Sequence, residues 1–599
     1  KEVLKVKQDR FSIFFISIII EFAFITVVPL LCVSSLYGQQ TFTDVTVTMG
    51  ISGQTGLGHS VGWCDIDNDG DLDLAFSNQN SAGFWLYRND GTTFIDITSQ
   101  AGLSGLTAYR IIWAEVTGDT FSDLIVRTWG SEQKLYKNDG NCHFTDNTGS
   151  SGISGSVVSA ADFDNNGSTD LLSLTDASCY ILYNSGTGTF TSSQFVGYSN
   201  DFQCAVCFDY NLDGYIDIYL GTYGSNPNKL FENFGNDSFA DVTSTAAVEW
   251  NGETSGITAG DYNNDGFLDL YLGNSSSPGC KLFQNQGNGA FTDVTSYAGV
   301  TGHNDTRTVA FIDYNNDGLL DIFVSNHDFY EYSNQMYRNN GNGTFTDVGA
   351  QLNLSGQWIG DYFGTGWGDF NNDGAIDLFV AGHIDKYVLF RNDNCSGNYL
   401  TIRLIGTTSN YNAIGAKVQV WLGSQCLTRF VIAGEGMHDF HSLPVEFGLN
   451  NNTNIDSLKV TWPSGYVQVL DSITANQFIT IVEGVSEVCD RKNKPFVSKI
   501  YLSQNYPNPF TTSTTITLIL PGAQEHKSAR AQAESIELKI YDLSGQTVKN
   551  FLISNLQFPN FKLTWDGKDE NNRNVPDGLY FYRLETASGS ITRKLLLVR

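Results

Sequence analysis

A nine-residue pattern, D-x-[DN]-x-[DN]-G-x-x-D, begins at Asp65, Asp162, Asp209, Asp261, Asp313 and Asp369 of this 599-residue chain. A degraded copy begins at Glu115. These residue types suit one chemistry. Ca2+ is a hard cation that takes about six to eight oxygen ligands. Side chains at positions 1, 3 and 5 of a tight loop converge on one point. Position 7 offers a backbone carbonyl, the position-9 Asp closes the shell, and Gly at position 6 permits the bend. The first loop offers Asp65, Asp67, Asp69, the carbonyl of Asp71, and Asp73. The others offer Asp162, Asp164, Asn166, Ser168 and Asp170; Asp209, Asn211, Asp213, Tyr215 and Asp217; and Asp261, Asn263, Asp265, Phe267 and Asp269. The last two offer Asp313, Asn315, Asp317, Leu319 and Asp321, then Asp369, Asn371, Asp373, Ala375 and Asp377. About six Ca2+ sites are therefore expected. The copy from Glu115 to Asp123 has Thr120 where Gly is expected and is expected to bind weakly or not at all.

The elements that position these loops repeat with them. Each loop leads into an apolar alternation such as LDLAFS or LDLYLG, a period of two that predicts a strand. EF-hand loops lead into helices, so that reading fails. A second motif follows (LYRND from residue 86, MYRNN from 336), then a Gly/Asn turn suited to a hairpin, then FTDVT or a variant. Each unit of roughly 50 residues thus reads as four short antiparallel strands, the blade of a β-propeller. Seven units predict seven blades. The last lacks its own FTDVT strand, and an orphan copy stands at Phe42–Thr46. That orphan is expected to complete the last blade and close the ring, removing an open sheet edge. The strand order puts all the loops on one face. The opposite face carries the longer connections, with Arg110, Trp129, Tyr223, Trp250, His303, Arg307, His327, Trp358 and His383 as candidate ligand anchors.

Composition agrees. The chain has 64 Asp+Glu against 34 Lys+Arg, and a formal charge of −30. Such a surface repels phosphate backbones, which argues against nucleic-acid binding. Of the 64 acidic residues, 23 lie in the seven loops. Only 16% of residues are charged and 41% are hydrophobic, so the chain can bury a core. Lys1, Lys5, Lys7 and Arg10 precede an apolar run from Phe11 to Leu31, which reads as a secretory signal over residues 1–38. A retained membrane anchor is the alternative, since the run approaches the ~20 residues needed to span. Ten Cys are too few for a disulfide scaffold. Cys204 and Cys207 have the spacing of a redox pair, but in an apolar strand they read as buried small hydrophobes.

The repeats resemble FG-GAP/VCBS repeats, as in integrin α-subunit propellers and many secreted bacterial proteins. The resemblance covers about residues 41–393. It implies loops that hold Ca2+ between the first two strands of a blade, and a scaffold for binding. Residues 398–484 have another grammar, with NAIGAKV from Asn412 and VTWPSG from Val460. They resemble the ASPIC/UnbV domain of cartilage-acidic-protein-like chains. His438 and His441, three apart, are weak candidates for a metal pair. QNYPNPF from Gln504 and GLYFYRL from Gly578 resemble the start and end of a type IX secretion sorting domain, an immunoglobulin-like β-sandwich. The expected fold class is all-β: a seven-bladed propeller over 39–395, an ASPIC/UnbV-like β-domain over 396–485, a linker over 486–499 and a β-sandwich over 500–599.

Two functions follow. One is a secreted or outer-surface Ca2+-binding propeller that recognises an extracellular glycan or protein, as in adhesion. The alternative is an extracellular carbohydrate-active enzyme, a lyase or hydrolase on the same scaffold. The chain has no GxSxG, no HExxH and no nucleophile–base set of usable spacing, which favours the binder. The partners expected are that ligand and, through the C-terminal domain, the type IX secretion machinery. Membrane contact is expected only through the signal segment or surface attachment.

Overall fold

The computed structural model describes residues 40–599 apart from 55, 80–82, 176–177, 197–201, 223, 225, 236–237, 277–278, 304, 327–333, 355–361, 383–386, 437, 486–488, 491–500, 503–507, 520–535, 544, 554–559 and 587–588. The expected signal over residues 1–38 lies outside the described residues, as does nearly all of the expected linker. Among the described residues two single-turn helices, Thr148–Ser151 and Thr295–Ala298, interrupt otherwise all-β structure. No helix among the described residues is long and apolar enough to cross a membrane.

Seven antiparallel sheets carry the repeat, each with four strands of its own in sequence order except the last. In the first unit these are Gly58–Cys64, Asp73–Asn78, Phe84–Asn89 and Phe94–Asp96. The orphan strand Thr41–Asp44 pairs with Tyr387–Asp393 of the last unit, with Phe42 opposite Asn392. The first strands of neighbouring sheets pack together around the series. Gly58–Cys64 also packs against Tyr362–Gly368, so the first sheet touches the last.

Burial falls from the first strand to the fourth. Gly58–Cys64 is buried throughout, whereas only Phe94 of Phe94–Asp96 is buried. The second strands depart from the expected alternation. Asp73–Asn78 and Asp269–Asn274 are buried on both faces, because each sheet is sandwiched between two others. Every pairing of first and second strands carries a bulge near the start of the first strand, as between Gly58 and Val61. Bulges of this kind bend a strand and increase its twist.

The FTDVT motif has a local cause. Asp96 Oδ1 accepts from the Thr98 backbone N–H and hydroxyl, and Thr98 Oγ1 accepts from Leu86 N–H. The orphan strand does the same through Asp44, Thr46 and Leu389 N–H.

The Asn of the LYRND motif joins one sheet to the next. Asn339 Nδ2 donates to the Tyr262 carbonyl of the preceding sheet at 2.9 Å and to Leu320 of its own at 3.0 Å. Its Oδ1 accepts from Gly341 N–H, and its own N–H donates to Asp321 Oδ1 at 2.7 Å. Asn89, Asn138, Asn184, Asn233, Asn285 and Asn392 make the equivalent bond to the preceding sheet at 2.8–2.9 Å. Asn89 reaches Phe370 of the last sheet, so the set runs right round.

Two more four-stranded sheets follow, one with Asn398–Ile405 and Cys489–Asp490 among its strands and the other with Lys417–Leu422. The C-terminal region has a three-stranded and a four-stranded sheet around Trp565 and Tyr582. There Phe510 packs on Trp565 at 5.6 Å and exchanges backbone hydrogen bonds with Leu596 and Val598, so the motif at the start meets the chain's end.

Asn339→Ala strips partners from two buried carbonyls and one N–H. We expect a loss of roughly 2–4 kcal/mol in denaturant unfolding, while the exposed Asn340→Ala changes stability by less than about 0.5 kcal/mol.

Candidate metal centres

Each loop runs between the first and second strands and is folded by its own carboxylates. The position-9 Asp is fully buried and bridges two N–H donors. Asp170 accepts from Phe163 N–H at 2.9 Å and from Asn184 N–H at 2.7 Å. Asp217, Asp321 and Asp377 accept from the equivalent Asn N–H. The position-1 Asp caps the bend. Asp162 Oδ1 accepts from Asn166 N–H at 3.0 Å and Oδ2 from Gly167 N–H at 2.8 Å. Asp209, Asp261, Asp313 and Asp369 repeat this. Position 3 accepts from the N–H of position 5, and position 5 from that of position 7, as in Asn263–Asp265–Phe267. The loops are therefore nested turns with their oxygens drawn inward. The position-7 residues Ser168, Tyr215, Leu319 and Ala375 are placed by these bonds.

In the first and third loops the carboxylates converge. One oxygen each from Asp65, Asp67 and Asp73 lie within 4.8 Å of one another, as do those of Asp162, Asp164 and Asp170. The other four intact loops have Asn at position 3 and Asp at position 5, so each still offers three carboxylates and an amide oxygen. Asp65 Oδ1 is buried and has no hydrogen-bond partner. The donor set is all oxygen, the chemistry of Ca2+, Mg2+ or Mn2+ and not of a thiophilic metal. The residues fit a hard dication.

Burial is the main cause of the loops' electrostatics, and neighbouring carboxylates add to it. Asp170 and Asp217 are pushed up to about 9. Asp162, Asp313 and Asp369 rise to about 7. Asp73, Asp269, Asp321 and Asp377 lie well above the usual carboxylate range. Desolvated like charges disfavour their ionised forms until a proton or a cation neutralises them.

The degraded loop keeps the fold. Glu115 Oε1 accepts from Gly118 and Asp119 N–H, and Thr120 adopts φ 97°, close to the 98° of Gly70. A side chain rarely adopts that conformation. Lys137 Nζ lies 3.0 Å from Asp119 Oδ2 and supplies a cation from the protein itself.

The second domain lies on the loop face. Arg403 Nη1 is 2.8 Å from Asp65 Oδ2, and Nη2 also meets Asn68. Lys417 Nζ donates to the Gly266 carbonyl at 2.7 Å, and Arg429 Nη2 to that of Gly318 at 3.3 Å. Gly448 N–H donates to Asp313 Oδ2 at 3.1 Å, and Glu115 N–H to Asn412 Oδ1 at 2.7 Å. Tyr399 packs on Gly374, and the Thr408 carbonyl approaches Gly167. Nothing in the loop spacing signals this cover.

On the opposite face Tyr223, His327, Trp358 and His383 lie outside the described residues. Arg110 and Trp129 come together, with His59, Tyr109 and His438 between them. The His59 ring lies 4.4–4.8 Å from those of His438, Tyr109 and Trp129. Arg110 Nη2 is 3.0 Å from His438 Nδ1. Trp129 is 36% exposed, while His59, Arg110 and His438 are buried. Trp250 sits elsewhere, with Lys281 Nζ 4.6 Å above its ring, and Arg307 pairs with Asp305. His438 and His441 do not form a metal pair: His441 Nδ1 accepts from Trp367 N–H at 3.4 Å. Cys204 and Cys207 are buried free thiols, both pushed up to about 12 by burial.

Comparison with known families follows the same divisions. A model of the FG-GAP-like repeat matches residues 65–126, 162–220, 209–272, 265–324 and 320–380. The propeller is built from FG-GAP-like repeats. An ASPIC and UnbV model matches residues 406–488, and a FlgD Ig-like domain model matches 521–590. Cartilage acidic protein 1 of Mus musculus is 28% identical over 275 residues, 43% of this chain and 41% of that one. Its Xenopus tropicalis counterpart is 29% identical over 257 residues, 41% and 39% of the two chains. The chain thus spans about two fifths of these relatives' length. Among solved structures, an Agrocybe aegerita lectin that recognises non-reducing terminal N-acetylglucosamine aligns with 50% of this chain and 81% of its own, at 18% identity and TM-score 0.36.

The raised carboxyls set a pH dependence for the cation-free protein. A carboxyl whose folded pKa lies above the unfolded value near 4 favours the fold below that value. That contribution is lost as pH rises through the folded pKa. In chelator, the melting temperature should fall between about pH 5 and pH 9, the span set by these values. Scanning calorimetry across that range checks this, with calcium added at pH 8 expected to restore the loss.

Proposed function

We propose that this chain is a calcium-binding propeller of the cell exterior that presents a rigid face to an extracellular glycan or protein. The loop geometry carries this reading. Hard oxygen donors recur in six places, each prefolded by backbone N–H groups and each too acidic to be comfortable without a cation. A bound dication would neutralise those carboxylates and tie the first two strands of each sheet. Six dications would carry twelve positive charges against a net −30. In this reading the loops hold the scaffold together, and recognition belongs to the opposite face. There the Trp129 ring is the most exposed member of an aromatic and basic cluster. Aromatic and Arg side chains are the common anchors of recognition.

Location outside the cell is supported by the basic-then-apolar N-terminus and by the sorting-domain motifs at the C-terminus. The immunoglobulin-like end is read as the part addressed to the type IX secretion machinery.

The test is retention of full-length protein on immobilised extracellular polysaccharides and surface proteins, with calcium and with chelator. We expect calcium-dependent retention without turnover, weakened roughly tenfold by Trp129→Ala. Release of depolymerised product would contradict the binder and establish the enzyme. A melting temperature unmoved by chelator would contradict the cation, since a ligand bound only by the folded state must stabilise it.

A further inference from the structure

The first loop is built differently from the other intact ones. In the loops that begin at Asp162, Asp209, Asp261, Asp313 and Asp369, the position-1 Asp accepts from the loop's own N–H groups at positions 5 and 6. Asp65 receives neither bond. Asp69 N–H donates instead to Asp67 Oδ1 at 3.3 Å, and Asp65 Oδ2 faces Arg403 Nη1 of the second domain at 2.8 Å. Arg403 Nη2 meets Asn68 at position 4, so the guanidinium grips the loop at two points. The side chains of this ion pair are only 21% and 13% exposed, so water screens it weakly.

Charge accounts for this partner. The first loop carries five carboxylates, Asp65, Asp67, Asp69, Asp71 and Asp73, against three in each of the others. Arg429 approaches Asp313 of the sixth loop less closely, at 3.7 Å. The fourth loop is the contrast. Among the described residues no basic side chain pairs with Asp209, Asp213 or Asp217, which take backbone N–H groups and the Asn211 amide. A cation entering the first loop would meet a ligand that a fixed positive charge already neutralises, and like charges a few ångströms apart repel.

We propose that Arg403 is the resident counter-ion of the first loop and lowers that loop's affinity for a cation, so that it is the last of the six intact loops to fill. This rests on the cation reading of the loops and goes beyond it, because it makes the six sites unequal. The opposition is reciprocal, as any linkage between two binding events must be. Cation taken up by the first loop weakens the hold of Arg403 by the same factor. Asp65 Oδ1 is buried and has no hydrogen-bond partner, so a ligand oxygen remains and the loop still fills at full calcium. The first loop thereby responds both to the cation level and to the seating of Arg403.

The test is amide hydrogen exchange of the full chain over a calcium titration, read separately for residues 65–73 and 209–217. The first loop should gain protection at about tenfold more calcium than the fourth. Arg403→Gln removes the charge and should close most of that gap, with the fourth loop unmoved. Arg403→Lys keeps the charge and should leave the gap in place, which separates charge from side-chain shape. Protection of residues 209–217 in each variant shows that the propeller is folded. Equal midpoints in the unaltered chain, or a gap that Arg403→Gln leaves or widens, would overturn the proposal while the cation reading stands. If no loop gains protection with calcium, both fall.

Discussion

The fold turns on a carboxylate buried at the end of each loop. The position-9 Asp takes an N–H from its own loop and another from the Asn of the third strand, while that Asn reaches back to the preceding sheet. One side-chain pair thereby fixes the loop, the pairing of second and third strands, and the step to the neighbouring sheet. A buried carboxylate with two N–H donors is still desolvated, and its loop neighbours are acidic too. The arrangement stores unfavourable charge at its most structural point. A bound cation would relieve that charge; in the degraded loop Lys137 pairs with Asp119, while burial still holds Glu115 and Asp123 above the usual carboxylate range.

Much of this was legible in the sequence because it is local. Loop spacing, the strand after each loop, the hairpin turns and the orphan strand follow from hydrogen bonds between residues a few positions apart. Asp44–Thr46 repeats Asp96–Thr98, so the five-residue string Phe42–Thr46 sufficed to place the closing strand. The buried second strands were misjudged for the same reason. Alternation reads one exposed face, but sheets stacked radially leave none, and Ser77 and Asn274 are buried with their apolar neighbours.

What was not legible is long-range. Arg403 and Asp65 are 338 residues apart, and neither position advertises the other. The Asn of the LYRND motif was visible as a repeated letter, yet its bond to the previous sheet exists only once the sheets stand side by side. His438 looked like half of a metal pair. Its neighbours are instead a ring from the first sheet and an arginine from the second. Chemistry that depends on convergence can be guessed from residue type, but its address comes from topology.

The cover over the loop face changes where recognition can occur. Residues 398–484 contact the face that holds the acidic loops, at Asp65, Gly266, Asp313 and Gly318 among others, while loop tips such as Asp164 and Asp213 stay exposed. The account stands or falls on the loops holding cations. The most direct measurement is an anomalous difference map from crystals of the full chain grown with calcium. The account expects peaks within the loops beginning at Asp65, Asp162, Asp209, Asp261, Asp313 and Asp369, and none in the loop from Glu115 to Asp123. Loops that hold only water at full calcium would contradict it.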